Sequence, residues 1–239
     1  MRIELIYRET SEDDMILVMI NYSLDNIPLH FPSGFSMLSE DQWNNMVLSC
    51  IKYLCFNDVK NLLEIGCGSG GFLKTISDKY PGVNYYGVDY SESLIEIAKN
   101  NIDGVFNVFD ATNDMWNFHI SFDIIISFSV FQYFDNYKSA EIVLDNMLTH
   151  LSKHGQIYIG DIPNIERKDI SINLREGNHQ EKNRLLPSEK TDHLYYSKDF
   201  FFSFAKENNL KIEIFEHNQL DSFTFFPNSS CRFSIIFKS

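Results

Sequence analysis

Leu62-Leu63-Glu64-Ile65-Gly66-Cys67-Gly68-Ser69-Gly70 is the stretch whose reading decides the fold. An apolar run from Asn61 to Ile65 carries one acid near its C-terminal end. A glycine-rich turn follows, and Phe72-Leu73-Lys74-Thr75-Ile76 continues at helical spacing. That order reads as a buried strand, a tight turn and a helix N-terminus. Glycine tolerates positive φ and lets a ligand approach bare backbone. The first amides of the helix point at whatever sits there. The segment therefore reads as a nucleotide-type cofactor site. Gly66, Gly68 and Gly71 satisfy G-x-G-x-x-G, and Gly66, Gly68 and Gly70 equally satisfy G-x-G-x-G, so the glycines alone do not name the ligand. Glu64 is more selective. A buried carboxylate there repels a pyrophosphate and suits a cofactor with positive charge.

Outward from this run the chain alternates strand and helix. Strands are expected at 83–89, 105–110, 122–128 and 156–161, and a closing hairpin at 211–216 and 231–237. Helices are expected at about 70–80, from a Ser91 cap onward, at 138–151 and at 197–208. Ile124-Ile125-Ile126 is apolar throughout, as a strand buried on both faces requires. Two more acids end successive strands: Asp89 in Tyr86-Gly87-Val88-Asp89-Tyr90-Ser91, and Asp110 in Asn107-Val108-Phe109-Asp110-Ala111. Doubly wound folds hold their ligand beyond the carboxyl ends of the strands.

The run from Glu64 to Gly70 closely resembles the first motif of class I S-adenosylmethionine-dependent methyltransferases. Their cofactor carries a sulfonium and an ammonium and no phosphate. The resemblance covers roughly residues 44–239. It implies a doubly wound, Rossmann-like seven-stranded α/β sheet in the order 3-2-1-4-5-7-6 with the seventh strand antiparallel. It implies S-adenosyl-L-methionine as cofactor and S-adenosyl-L-homocysteine as product. Glu64, Gly66, Cys67, Gly68 and Gly70 would form the cofactor turn, Cys67 as a small packing residue. Asp89 would take the ribose hydroxyls, Tyr90 would lie against the adenine, and Asp110 with Ala111 would receive the adenine edge. Ser127 and Phe128 would line the methionine end.

Residues 1–43 are expected to form an N-terminal cap or lid, with a helix through 41–56. A long polar insertion is expected over 163–194. The segment Ser129-Val130-Phe131-Gln132-Tyr133-Phe134 also resembles the acceptor border of small-molecule methyltransferases. The chain lacks the [DN]-P-P-[YFW] signature of enzymes that methylate nucleic-acid amino groups. Gly160-Asp161-Ile162-Pro163 is similar to enzymes of surface-glycan and nucleotide-sugar pathways, which implies a sugar or phosphorylated glycan precursor as acceptor. An acceptor hydroxyl needs a general base. His193 is the first candidate because imidazole titrates near neutrality, followed by Tyr195 and Asp161. His30 reads as a loop histidine, and Phe200-Phe201-Phe202-Ser203-Phe204 as core.

Composition narrows the partners. The 239 residues suit one large α/β domain, and a net charge of −13 argues against nucleic-acid substrates, which need a basic surface. The four cysteines form no C-x-x-C pair and match no zinc spacing, so they read as reduced thiols of a cytoplasmic protein. The N-terminus does not read as a signal peptide, no apolar stretch reaches spanning length, and no carboxylate set points to a metal. The expected partner is a small-molecule acceptor, without nucleic acid or membrane. An NAD-type oxidoreductase, a protein methyltransferase and a non-catalytic methyltransferase-like subunit are the competing readings. Oligomeric state is not legible.

Overall fold

The computed structural model describes residues 28–174, 193–217 and 229–239. Seven strands form one sheet: β1 (Asn61–Ile65), β2 (Asn84–Asp89), β3 (Val105–Val108), β4 (Phe122–Phe128), β5 (Leu151–Pro163), β6 (Lys211–Glu216) and β7 (Arg232–Lys238). Their order is β3-β2-β1-β4-β5-β7-β6. β1 to β5 pair in parallel, and β7 runs antiparallel to both β5 and β6. The expected topology is therefore the observed one.

Five α-helices that lie wholly among the described residues cover the two faces: α1 (Glu40–Ile51), α2 (Gly71–Lys79), α3 (Glu92–Asn101), α4 (Tyr137–Thr149) and α5 (Lys198–Glu207). Strand alternation sorts the core. Leu62, Ile124, Ile126 and Phe128 face α1, α2 and α3, where Met46, Val47, Leu73, Ile76 and Ile95 meet them. Leu63, Ile125, Ile157 and Ile235 face α4 and α5, meeting Val143, Leu144, Met147 and Phe201. The aromatic run on α5 is core at Phe201 and Phe204, whereas Phe202 is exposed, as one helical face dictates.

Helix starts follow local chemistry. Ser39 and Gln42 form a capping box on α1, and the Asn136 side chain accepts from Ser139 N at 3.1 Å at the start of α4. Ser91 occupies the N-cap position of α3, but its side chain makes no cap bond. The Asp89 carboxylate accepts from Ser91 N instead, at 2.9 Å. β3 stops at Val108, short of the expected 110, because Asp110 turns the chain with its own side chain. β5 runs longer than expected, to Pro163, where it pairs with Arg232. Its register shifts between Ile159 and Ile162 as it passes Asp161. The expected insertion begins on this strand. Asn164 bridges Tyr196, and a short helical turn, Ile165–Arg167, follows. Its remainder over 175–192 lies outside the described residues, as do residues 1–27 of the expected cap.

Candidate functional site

The carboxyl ends of β1, β2 and β4 open onto the glycine turn. Gly66, Gly68 and Gly70 all have positive φ, at 72°, 52° and 84°. A Cβ on Gly66 would stand 2.3 Å from Val130 Cγ2, so that position needs glycine for space as well as for conformation. Gly66 N and Cys67 N both donate to Val88 O, at 2.8 and 3.0 Å. Asp89 accepts from Gly68 N at 2.8 Å and from Ser91 N at 2.9 Å, so its carboxylate ties the turn to the end of β2. Burial raises the Asp89 pKa, and the two amides pull it back.

Glu64 is buried at the foot of the turn, level with Gly87 of β2 and Ile126 of β4. Its Oε2 has no hydrogen-bond partner among the described residues. Burial pushes its carboxyl well above the ordinary range, and the Asp89 charge adds to this. A buried acid held in that condition suits a ligand that brings a cation. Cys67 packs beside Gly87, and burial raises its thiol further, so it is no nucleophile at neutral pH.

The remaining cofactor candidates divide. Tyr90 stands at the end of β2 with 72 % of its surface exposed, open to a flat ligand. Asp110 accepts from Thr112 N (2.9 Å), Thr112 Oγ1 (2.6 Å) and Asn113 Nδ2 (2.7 Å), which hold its pKa below the usual value. The carbonyl of Ala111 accepts from Trp116 Nε1 at 3.1 Å. Ser127 is fully buried, and its Oγ has no partner among the described residues. Phe128 lies in an aromatic cluster, its ring centroid 4.9 Å from Phe72, 5.8 Å from Phe35 and 6.4 Å from Trp43.

That cluster brings the segment ahead of α1 against the turn. Trp43 Nε1 donates to Gly71 O at 3.1 Å, and the Ser69 hydroxyl donates to Leu29 O. His30 stacks on Trp43 at 5.1 Å and bonds Leu38 O through Nε2 at 2.9 Å. Burial lowers its pKa, so it is a neutral packing histidine of the loop.

A second polar group lies at the carboxyl ends of β4 and β5. Ser129 and Asp161 both adopt left-handed backbone, with φ of 60° and 59°. Such strain in non-glycine residues concentrates at functional sites. Ser129 Oγ donates to Asp161 Oδ2 at 2.8 Å, and Gln132 Nε2 donates to Ser129 Oγ at 2.8 Å. Arg232, from β7, donates to Asp161 O at 2.9 Å, with its Nη1 3.6 Å from Asp161 Oδ2. His217 Nδ1 is 4.0 Å from Asp161 Oδ1. Burial drives the His217 pKa down to about 4, with Asp161 opposing and Arg232 adding to the shift. His217 is therefore neutral at pH 7, and its approach to Asp161 is no ion pair.

His193 packs edge-on against Tyr133, their rings 5.4 Å apart, and Leu194 N donates to Gln132 O at 2.9 Å. Tyr195 is buried, its hydroxyl 3.4 Å from Ser171 Oγ and its ring under Lys168 Nζ. The structure thus links the neighbour of His193 to Asp161 through Gln132 and Ser129, and turns the Tyr195 hydroxyl toward Ser171. Ser129 and Gln132 lie in the segment expected to border the acceptor, without individual roles, whereas His217 and Arg232 are not singled out from sequence as site residues. The available signal is an arginine at the head of the apolar run Phe233-Ser234-Ile235-Ile236-Phe237.

The groove between α4 and α5, lined by Glu141, Asp145, Asp199 and Glu207 among others, shares no residue with this site. Among the described residues no His/Cys/Asp/Glu group is arranged to hold a metal, and no helix is long and apolar enough to cross a membrane.

The fold and the glycine cleft define a Rossmann-like cofactor-binding protein. Residues 63–157 match the family model described as a methyltransferase domain. That match takes in β1 to β4 and the start of β5, and it identifies this part of the chain as a methyltransferase domain. It is 27% identical over 165 residues to a malonyl-[acyl-carrier protein] O-methyltransferase of Bacillus cereus, covering 68% of this chain and 59% of that one. It is 37% identical over 84 residues to the Brevibacillus brevis protein of the same name, covering 33% and 30%. The chain thus spans less than two thirds of the length of these relatives. Its fold is similar to that of the plantazolicin methyltransferase BamL, in complex with a triazolic desmethylPZN analog and SAH, at a TM-score of 0.61 and 18% identity, with 99% of each chain covered.

Proposed function

We propose that this chain transfers the methyl group of S-adenosyl-L-methionine to an oxygen or nitrogen of a small-molecule acceptor. The observation that carries the reading is Glu64, a buried acid at the foot of the glycine turn whose Oε2 no described residue bonds. Glu64 would face the cofactor's positive end, the amides of the turn would pack against it, and Asp89 would accept the ribose hydroxyls through lone pairs left by Gly68 and Ser91. Tyr90 would cover the adenine, with Asp110 and Ala111 at its edge. Ser127 and Phe128 would border the methionine end. When bound, the cofactor supplies a methyl group already activated on a sulfonium. The chain then has two tasks, to align the acceptor and to take its proton.

Asp161 is the base this reading favours. It stands near the carboxyl end of β5, fixed by Ser129 and Arg232. His193 and Tyr195 are the alternatives on the same side. For the acceptor, a sugar or phosphorylated glycan precursor is the finer reading, supported by the likeness of Gly160-Asp161-Ile162-Pro163 to enzymes of those pathways. The names of the curated relatives bring a malonyl carrier as its competitor. The charge of −13 supports an acceptor that is not a nucleic acid.

Calorimetric titration with S-adenosylhomocysteine and, separately, with NADH tests the cofactor. Binding of S-adenosylhomocysteine alone is expected. NADH binding in its place would overturn the proposal. A radiolabelled methyl-transfer screen of sugar nucleotides, phosphosugars and malonyl thioesters then identifies the acceptor.

A further inference from the structure

Gln132 is 2 % exposed in the short turn Phe131–Tyr133 that follows β4. Its Nε2 donates to Ser129 O at 3.0 Å and to Ser129 Oγ at 2.8 Å. A backbone carbonyl can only accept, so this contact fixes which end of the amide is nitrogen. Both hydrogens of the amide are thereby used. The oxygen, Oε1, is left buried with no partner among the described residues. An unsatisfied buried acceptor costs about 1–3 kcal/mol, and native structures retain few of them.

The same relay orients Asp161. Gln132 donates to the Ser129 hydroxyl, so that hydroxyl directs its own hydrogen at Asp161 Oδ2. Arg232 holds the backbone and one oxygen of Asp161 from the other side. Asp161 keeps 19 % of its side chain exposed and has lone pairs beyond those that Ser129 and Arg232 engage. Arg232 is 8 % exposed at its side chain and directs its Nη1 at Asp161. The Gln132 amide nitrogen and the Asp161 carboxylate therefore flank one hydroxyl at the carboxyl end of the sheet, and the same amide carries the unpartnered Oε1. Both residues sit on strained or tightly turned backbone that holds them there.

We infer that Gln132, Ser129 and Asp161 form the acceptor subsite, and that it selects a nucleophile carrying its own hydrogen, an O–H or N–H group, over a carboxylate. This rests on the methyl-transfer reading above. An amine gives one hydrogen to Gln132 Oε1 as a hydrogen bond and the reacting one to Asp161, and a hydroxyl gives its single hydrogen to Asp161. A carboxylate has none to give and meets two oxygens. Sites built to receive a hydrogen bond reject analogues that lack the donor, because their own buried polar groups then go unpaired.

The test is saturation-transfer NMR on the chain loaded with S-adenosylhomocysteine, with ethanolamine and malonate as probes. Ethanolamine is expected to bind and malonate not to bind. Propylamine and N-acetylethanolamine then separate an amine acceptor from a hydroxyl one. Gln132→Met is close in size but has no oxygen acceptor, and should weaken ethanolamine at least tenfold. If that chain fails to fold, Asp161→Asn carries the same test with the same expected loss. Malonate binding, no ethanolamine binding, or ethanolamine binding that both variants leave unchanged would each overturn the inference. Failure of the wild-type chain to bind S-adenosylhomocysteine would instead bring down the methyltransferase reading on which it rests.

Discussion

The cofactor end and the acceptor end of this sheet are built by different means. At the cofactor end, nine consecutive residues supply the strand, the turn and the buried acid, and the proposed binding falls mostly to backbone amides. At the acceptor end, five side chains meet from positions 129, 132, 161, 217 and 232, and side-chain hydrogen bonds fix one another. A backbone cradle tolerates change in most of its side chains and fails when a glycine held at positive φ is altered. A side-chain relay has several points of failure, and their effects do not add.

The largest expected effect lies in the relay. Asp161→Asn keeps the size of the side chain and should lower turnover roughly 10²–10⁴-fold if Asp161 takes the acceptor proton. Affinity for S-adenosylhomocysteine should hold, since Asp161 lies outside the glycine turn. Steady-state kinetics beside calorimetry separates the two ends. If His193→Ala shows the larger fall and Asp161→Asn a small one, the proton goes to the insertion side of the site.

Next comes acid stability. His217 is buried and neutral, with its pKa down from 6.5 to about 4. The unfolded chain takes up a proton that the folded chain refuses, so stability is lost as pH falls from 6.5 toward 4. The slope is about 1.4 kcal/mol per pH unit, and the loss about 3 kcal/mol in all. His217 Nε2 lies 2.6 Å from Ser234 Oγ, which also contacts the Tyr158 hydroxyl, and the charges of Asp161 and Arg232 act on the ring. His217→Gln keeps a hydrogen-bonding side chain and removes the titration. Urea unfolding at pH 7 and pH 5 should therefore show a smaller difference in the variant. An equal difference would place the acid sensitivity elsewhere.

The same contrast explains what was legible in the sequence. Topology, strand order and the glycine turn follow from runs of neighbouring residues, where periodicity and glycine spacing record the local backbone. Glu64 stood out because an acid is rare in a buried strand. The Ser129–Asp161 contact spans 32 residues and the Arg232–Asp161 contact 71, and nothing local announces either. The left-handed backbone at Ser129 and Asp161 also falls on residues without the usual glycine signal. Boundaries erred where a side chain ended a strand, as Asp110 does after β3, or where pairing outlasted the hydrophobic pattern, as in β5 up to Pro163.

At the cofactor end, Asp89→Ala should weaken S-adenosylhomocysteine roughly 10- to 100-fold, from loss of charge-assisted bonds of about 1.5–3 kcal/mol. The variant also frees Gly68 N and Ser91 N, so the turn loosens from β2. Asp89→Asn sharpens the point, because it keeps an oxygen for one amide and loses the charge. Equal affinities in the wild type and both variants would confine Asp89 to holding the turn.

Glu64→Gln carries the smallest expected change in affinity and opposite signs in two measurements. The folded chain raises the Glu64 pKa well above its ordinary value of 4.5, chiefly by burial. A group of this kind binds its proton more tightly when folded. Its contribution is favourable below the unfolded pKa and is lost as pH rises. At pH 8 the wild-type chain therefore bears the cost of a buried acid that glutamine does not impose. Glu64→Gln should melt higher than the wild type at pH 8, and the gap should close toward pH 4.5. The same change should weaken S-adenosylhomocysteine about tenfold, because a charge-assisted hydrogen bond becomes a neutral one. Greater stability together with weaker binding is the signature of a residue kept for its ligand. A variant that melts lower and binds equally well would make Glu64 a structural acid, and the cofactor end would then rest on its glycines and Asp89 alone.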